Sequence, residues 1–429
     1  MEKTREKEVK HRKNNMKLYP FYEMIGYDLL FYYGIRVMFL SQAKLFSNSQ
    51  IMFSSTLSAL FLILLQLPIT LTVSKIGKRS GTILGNIVMV AWSIVIMLIN
   101  SFTGLIIAQL LYSIGYALKY ISEANLLSES IPESKAQNDI FTNIDKRGYS
   151  RYCFLSAISN VAAGYLFNVN KYLPLIFCLG CLLITTLLSF NFVDIEKRRQ
   201  KRNNESQEIK KFFKELKQGY KFVINSKRLR ALLIFTGVIW GAISILDTFQ
   251  LILLQYLNVS SGYIGLVIAG MVIIKGIFSR RALNYNEIFK NRSLMNILAT
   301  FALSFILMGI VAIININLNL KLIIIIINLL ILSALNAIYL ILAKRYFNNF
   351  TNTKILPSIY SVKSISDNLF KIISTLFATV ILGWLNVEIA LIITGFILLI
   401  ATLVINNFTK EKLGLNPDEY TQKDIYIRK

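Results

Sequence analysis

Charged positions in this chain are spaced like punctuation between long apolar runs. Met52–Val73 carries no charge, Lys75, Lys78 and Arg79 follow as a cluster, and Thr82–Ile99 is again uncharged. A bilayer core of roughly 30 Å needs about 20 residues of apolar helix. Twelve runs of that kind occur, at 21–43, 51–73, 80–101, 103–128, 148–169, 172–193, 230–254, 262–279, 293–315, 319–343, 360–384 and 387–407. The first follows a charged segment, is too long for the apolar core of a cleaved leader, and has no small-residue cleavage site after it. The pattern therefore predicts an all-α integral membrane protein with twelve spans.

The charges between the runs assign the sides. With the N-terminus inside, the inner segments hold 40 of the 47 lysines and arginines, whereas the outer side holds Lys44, Lys171 and Lys321. Basic residues stay on the cytoplasmic side of short loops, so both termini are expected in the cytoplasm and the number of spans is even. One inner connection is long. It starts as "DIEKRRQKRNNESQ", too polar to pack, and continues as "EIKKFFKELKQGYKFVI". There Ile209, Phe212, Phe213, Leu216, Tyr220 and Val223 recur at helical spacing with five lysines between them, the pattern of an amphipathic helix lying on anionic lipid. The expected layout is a basic cytoplasmic tail (1–20), a six-helix bundle (21–193), a cytoplasmic linker (194–229), a second six-helix bundle (230–407) and a second tail (408–429).

Composition narrows the functional classes. The chain is 55% hydrophobic with a formal charge of +24. Nucleic-acid binders gather such charge on a water-soluble domain; here it lies between membrane-length runs, so no nucleic-acid partner is expected. Cys153, Cys178 and Cys181 all fall in apolar runs, and the CxxC pair has no nearby His or acid, so they read as small buried residues rather than a metal or redox site. The one histidine, His11, is outside the spans, which leaves no histidine relay and no Ser-His-Asp chemistry in the membrane. No phosphate-cradling G-x-x-x-x-G-K-[ST] is present. Neither an enzyme nor a cofactor is expected.

The cluster after the second run carries a more specific likeness. "TLTVSKIGKR", Thr70 to Arg79, resembles the G-x-x-x-D-R/K-x-G-R/K-R/K turn between helices 2 and 3 of the major facilitator superfamily. Lys75, Gly77, Lys78 and Arg79 match, while Thr70 stands in place of Gly and Ser74 in place of Asp. The resemblance implies two six-helix bundles that rock about a central cavity lined by helices 1, 4, 7 and 10, and it implies that Lys75, Gly77, Lys78 and Arg79 help lock the inner gate. Simple anchoring to the inner leaflet is the other reading of the same cluster. The family's helix-4 arginine is replaced by Gln109, and "SAISNVAAGYLF" lacks the proline of the antiporter signature on helix 5.

Ionisable groups in a span cost roughly 2.5–3.5 kcal/mol each on insertion scales, so each invites a functional reading. On the first span Asp28 and Arg36 are eight residues apart, about 12 Å along a continuous helix, too far to pair. Lys119 matches Asp28 in depth and Asp247 matches Arg36. The expectations are an outer-gate pair, Arg36–Asp247, and a cavity pair, Asp28–Lys119, with Asp28 as proton carrier; Glu123, one turn after Lys119, competes for it. On the eleventh span Lys363, Asp367 and Lys371 share one face, which suits either local pairing or gating by Asp367 and Lys371. Tyr32, Trp240 and Gln250 complete the candidate cavity lining, with Tyr27, Tyr33, Tyr112, Tyr116, Asn336 and Tyr339 as further aromatic and amide groups. A cavity richer in aromatics than in fixed polar groups suits an amphipathic or cationic guest. The expected function is proton-coupled efflux of a small amphipathic compound across the plasma membrane, with the proton, that compound and membrane lipid as partners. The alternatives are nutrient uptake and a non-transporting membrane sensor of the same fold.

Overall fold

The structure is a computed structural model, and it describes residues 2–132, 137–194, 205–349 and 356–409. Among these residues the ordered elements are helices, with no strand. In chain order they are α1 (Glu2–Gly26), α2 (Asn48–Ile76), α3 (Lys78–Leu98), α4 (Phe102–Ser130), α5 (Gln137–Val169), α6 (Leu173–Ser189), α7 (Glu205–Asn225), α8 (Lys227–Tyr256), α9 (Ser261–Ser279), α10 (Ala282–Phe289), α11 (Ser293–Ile313), α12 (Leu318–Asn349), α13 (Leu356–Trp384) and α14 (Val387–Thr409). Among the described residues ten helices are long and apolar enough to cross a membrane, and α6 is a shorter apolar one. The first of the twelve spans completes the set, and it is the one that is not a continuous helix.

The run 21–43 was expected to be a single helix. Instead α1 begins at Glu2 and stops at Gly26; a 3-10 turn (Tyr33–Ile35), one α turn (Arg36–Met38) and a π turn (Phe39–Ala43) follow. Residues 27–32 are in turns and bends, and Phe31 has φ 64°, a left-handed conformation uncommon for a bulky side chain. The 12 Å helical separation between Asp28 and Arg36 therefore does not apply. Polar side chains explain the interruption. Asp28 turns its own carboxylate onto the Leu29 N–H at 2.7 Å, competing with the helical ladder, and neighbouring helices supply partners for other freed backbone groups.

Contacts divide the chain into two compact units. The first comprises Met1–Phe46, Leu60–Ile209 and Ser260–Ala269. In it α3 packs along α4, and α1 lies along α5 with α6 beside it. The segment 1–20, expected as a tail, is helical from Glu2 onward and tied down. Arg12 donates to the Glu129 carbonyl (2.7 Å), and Asn15 donates to the Val193 carbonyl (2.8 Å) while accepting from the Val193 N–H (3.1 Å). Ser261 donates to the Gly164 carbonyl of α5 at 2.7 Å.

The second unit comprises Ser47–Ala59, Lys210–Val259 and Gly270–Lys429. Its centre is α8, whose apolar window is 78% buried against 11% for α13; a helix apolar all round belongs inside a bundle. Tyr339 of α12 donates to the Thr236 carbonyl of α8 at 2.9 Å. Thr56 and Thr375 join hydroxyls at 2.7 Å, and Ser49 donates to the Thr379 carbonyl at 3.0 Å. The amphipathic helix expected over 209–223 is α7, with Val223 buried and Phe213 and Tyr220 exposed. The side chains of Ile209 and Phe212 lie outside the described residues, as do the linker 195–204 and the tail 410–429.

Candidate functional site

The interrupted first span supplies a polar intramembrane site in the first unit. A backbone break inside a membrane persists only where side chains, water or protein replace the missing hydrogen bonds. Lys119 of α4 does this at one end, donating from Nζ to the Gly26 carbonyl at 2.7 Å. Asn160 of α5 does it further along, where its Oδ1 accepts from the Gly34 N–H at 3.0 Å. The lysine sits where the carbonyl end of α1 carries partial negative charge, the favourable place for a cation.

Lys119 is 7% exposed and lies 3.8 Å from Glu123 Oε1, in an i,i+4 ion pair. Glu123 also accepts from the Tyr22 hydroxyl, which in turn accepts from Asn86 Nδ2 at 2.8 Å. Lys119 thus serves Gly26 and Glu123, the second of which was the expected competitor of Asp28. Beside this chain lies a carboxyl pair that the hydropathy pattern did not single out. Glu23 of α1 is 6% exposed and shares a hydrogen bond with Asp145 of α5, an arrangement that needs one proton between two carboxyls. Gly148, one turn beyond Asp145, makes the approach possible, because a Cβ there would stand 2.8 Å from Glu23 Cδ.

Asp28 projects from the unwound stretch and is half-buried. It stands within electrostatic reach of Tyr27, of Tyr112 and Tyr116 on α4, and of Tyr149 and Tyr152 on α5. These rings form two groups. Tyr27 lies 5.0 Å from Tyr149 and 4.6 Å from Tyr152, centroid to centroid, and Tyr112 stacks on Tyr116 at 5.9 Å. Tyr32, another candidate, is buried edge-on against Trp92 at 5.3 Å. Arg36 opens the short α turn with its guanidinium 5.2 Å from the centre of the Tyr33 ring.

At the 75–79 turn, Gly77 has φ +89°, which a side chain resists. Lys75 is exposed, and Lys78 makes an ion pair with Glu129 of α4. The acid absent at Ser74 has a counterpart elsewhere. Asp194, just past α6, accepts from the Arg79 N–H at 3.0 Å and caps the start of α3, while the Arg79 side chain donates to the Phe190 carbonyl at 2.9 Å.

The second unit holds the remaining candidates. Asp247 and Trp240 are half-buried on α8, and Gln250, 2% exposed, has an Oε1 without a hydrogen-bond partner among the described residues. On α13 Lys363 and Asp367 form an i,i+4 ion pair, with the lysine 5.6 Å from the Phe347 ring centre. Lys371 is half-buried one turn further on.

Glu23, Asp145, Asp194 and Asn160 were not read from the sequence. Glu23 and Asp194 sit at the edges of runs, where a charge looks like a boundary marker. Asp145 falls in an inner connection, and Asn160 is uncharged. Only Glu23, five residues before Asp28, offered a signal, since the two acids crowd the start of one span.

A sequence model of the Major Facilitator Superfamily matches residues 21–349. No curated protein matches the chain significantly. Among solved structures, the nucleoside transporter NupG is similar with a TM-score of 0.69 and 10% identity, covering 94% of this chain and 100% of that one. A POT family transporter in complex with 5-aminolevulinic acid is similar with a TM-score of 0.63 and 15% identity, covering 94% and 96%. A D-xylose-proton symporter is similar with a TM-score of 0.65 and 11% identity, covering 95% and 98%. Identities this low speak for the fold.

Proposed function

Since the chain belongs to the major facilitator superfamily, we propose that it is a secondary active transporter in which the proton gradient drives export of a small amphipathic compound. Two six-helix halves rock about a central path in the plasma membrane, with both termini in the cytoplasm. The observation that carries this reading is Asp28: a half-buried carboxylate on unwound backbone within a span, in electrostatic reach of tyrosines on α4 and α5. An intramembrane carboxylate is costly unless it works, and this one combines a proton acceptor with a face suited to an apolar guest. The asymmetry of basic residues supports the orientation. Asp247 is the second candidate carrier.

In the same reading Arg36 and Asp247 form the outer gate. Asp28 and Lys119 form a cavity pair, Lys75, Gly77, Lys78 and Arg79 help lock the inner gate, and Asp367 and Lys371 have a gating role. Transport unchanged after neutral replacement of both members of either pair would remove that pair from the mechanism.

Uptake of a nutrient is the second reading, favoured by structural neighbours described as nucleoside, POT family and xylose transporters. One assay separates the two. Inverted vesicles are energised to an acidic lumen, a compound panel is added, and a pH-sensitive dye is followed for wild type and Asp28→Asn. Export predicts that some compound releases lumenal protons with wild type and not with the variant. Proton movement absent for every compound, with substrate-dependent symport in right-side-out vesicles, would overturn export in favour of uptake.

A further inference from the structure

The helix α7 and the corner that joins it to α8 present a surface that no step of the proposed transport cycle uses. Ser226 stands alone between the two helices with extended backbone (φ −101°, ψ 109°), and its Oγ accepts from the Leu229 N–H at 3.3 Å. One extended residue turns the chain, so α7 leaves the axis of α8. Because α8 is a membrane-length apolar helix that starts at Lys227, α7 ends at the bilayer surface.

Three kinds of side chain divide the circumference of α7. Gly219 and Val223, one turn apart, are buried and form the flank against the protein. Phe213, Tyr220 and Ile224 share a second face and are 53%, 59% and 46% exposed. Lys214, Lys217 and Lys221 form a third stripe and are exposed as well. At roughly 100° per residue this stripe lies about 70° from the apolar one, on the side away from Val223. That is the cross-section of a helix lying in a membrane interface. The apolar face enters the acyl boundary, while the lysine stems run along its edge and carry their ammonium groups to the phosphates.

The charge at the corner has one sign. No acidic residue stands between Glu215 and Asp247. Lys227 and Arg230, both exposed, add to the positive pole at the start of α8, where a helix disfavours cations. Anionic headgroups offset such a cluster of like charges.

We propose that α7 docks on the leaflet at the starting end of α8 and binds anionic phospholipid there. Phe213, Tyr220 and Ile224 occupy the acyl boundary, and Lys214, Lys217 and Lys221 hold the headgroup phosphates. The site depends neither on transport nor on its direction.

The test is hydrogen exchange by mass spectrometry over 213–224. The full chain is placed in nanodiscs of phosphatidylcholine alone, or of phosphatidylcholine and phosphatidylglycerol in equal parts with the same acyl chains. Docking slows exchange by the factor by which it stabilises the helix. The expected result is exchange at least about tenfold slower in the anionic discs, since each lysine near such a surface contributes about fivefold. High salt should shrink the difference. Lys214→Gln/Lys217→Gln/Lys221→Gln is expected to bring it within about threefold while exchanging as wild type does in phosphatidylcholine; the triple arginine variant should keep it. Tyr220→Ser with Ile224→Ser, which leaves helix propensity nearly unchanged, should exchange faster in both discs, because acyl contact needs no lipid charge. Equal exchange of wild type in the two discs would overturn the proposal; equally slow exchange, unchanged in the glutamine variant, would mean that another part of the chain covers the face. Slowing by glycerol phosphate added to phosphatidylcholine discs would overturn it in favour of a soluble phosphate.

Discussion

Replacing Lys119 with methionine tests whether one lysine holds the broken span together. Methionine keeps most of the stem volume and removes the ammonium. Two groups then lose their partner. The Gly26 carbonyl, now 2.7 Å from Nζ, becomes a buried acceptor without a donor, which costs about 1–3 kcal/mol. Glu123, 3.8 Å away, loses its counter-charge but keeps the Tyr22 hydroxyl, so it takes up a proton rather than staying charged. That limits the second loss to about 1 kcal/mol, in line with polar pairs measured inside membranes. The expected destabilisation is about 2–4 kcal/mol in total. Adding Glu123→Gln recovers only the smaller part, because no change at position 123 returns a donor to Gly26. The assay is a thermal midpoint in detergent together with hydrogen exchange by mass spectrometry. Peptides covering 27–35 should exchange faster in Lys119→Met, and peptides from α11 and α14 should not change. A variant with wild-type exchange over 27–35 would show that the lysine does not hold the break, and the account of the first span would fail.

Further outcomes follow from other contacts. Gly148→Ala places a Cβ against the Glu23 carboxyl and is expected to cost about 1–3 kcal/mol by overpacking; Glu23→Ala should restore the thermal midpoint of the double variant above that of Gly148→Ala alone, and a strictly additive pair would refute the contact. Gly77→Ala forces a side chain to φ +89° and should cost about 1–2 kcal/mol, read as a lower midpoint. Asp194→Ala removes the acceptor of the Arg79 N–H and should cost about 0.5–2 kcal/mol, as loss of a helix cap does, with Asp194→Asn close to wild type. In α13, Asp367→Asn alone should lower stability more than the Lys363→Met/Asp367→Asn pair, since the single change strands a lysine in the span.

Hydropathy counting found the helices because membrane length and the scarcity of charge are conditions any span must meet. The α8, α9, α11 and α14 helices begin and end within a few residues of the apolar runs. The same method could not find the interruption of the first span. Residues 27–35 are as apolar and aromatic as their neighbours, and what ends the helix there is local competition by Asp28 and tertiary donors and acceptors from α4 and α5. Those partners lie 93 and 126 positions away in sequence, beyond any local window. Depth matching paired Lys119 with Asp28, and the lysine's Nζ bonds to the Gly26 carbonyl, two residues before Asp28. It missed that a backbone carbonyl, which no residue name reveals, is the lysine's closest acceptor.

The 75–79 turn shows why a motif departure and a chemical departure differ. Ser74 replaces the acid of the family pattern, and read letter by letter this removes an anion from the start of α3. The chemical requirement there is narrower: a helix N-terminus with two basic side chains and unpaired N–H groups needs a nearby acceptor. Any carboxylate that the fold brings to that end can meet it. Asp194 does so from the end of the sixth span, bonding to the Arg79 N–H, and Glu129 takes Lys78. The charge balance of the turn is thus retained while its connectivity changes. An acid on α2 itself would have moved with that helix; Asp194 and Glu129 instead tie the start of α3 to the ends of α6 and α4. In this chain the 75–79 turn is therefore held within the first unit by contacts to the segment after α6 and to the end of α4.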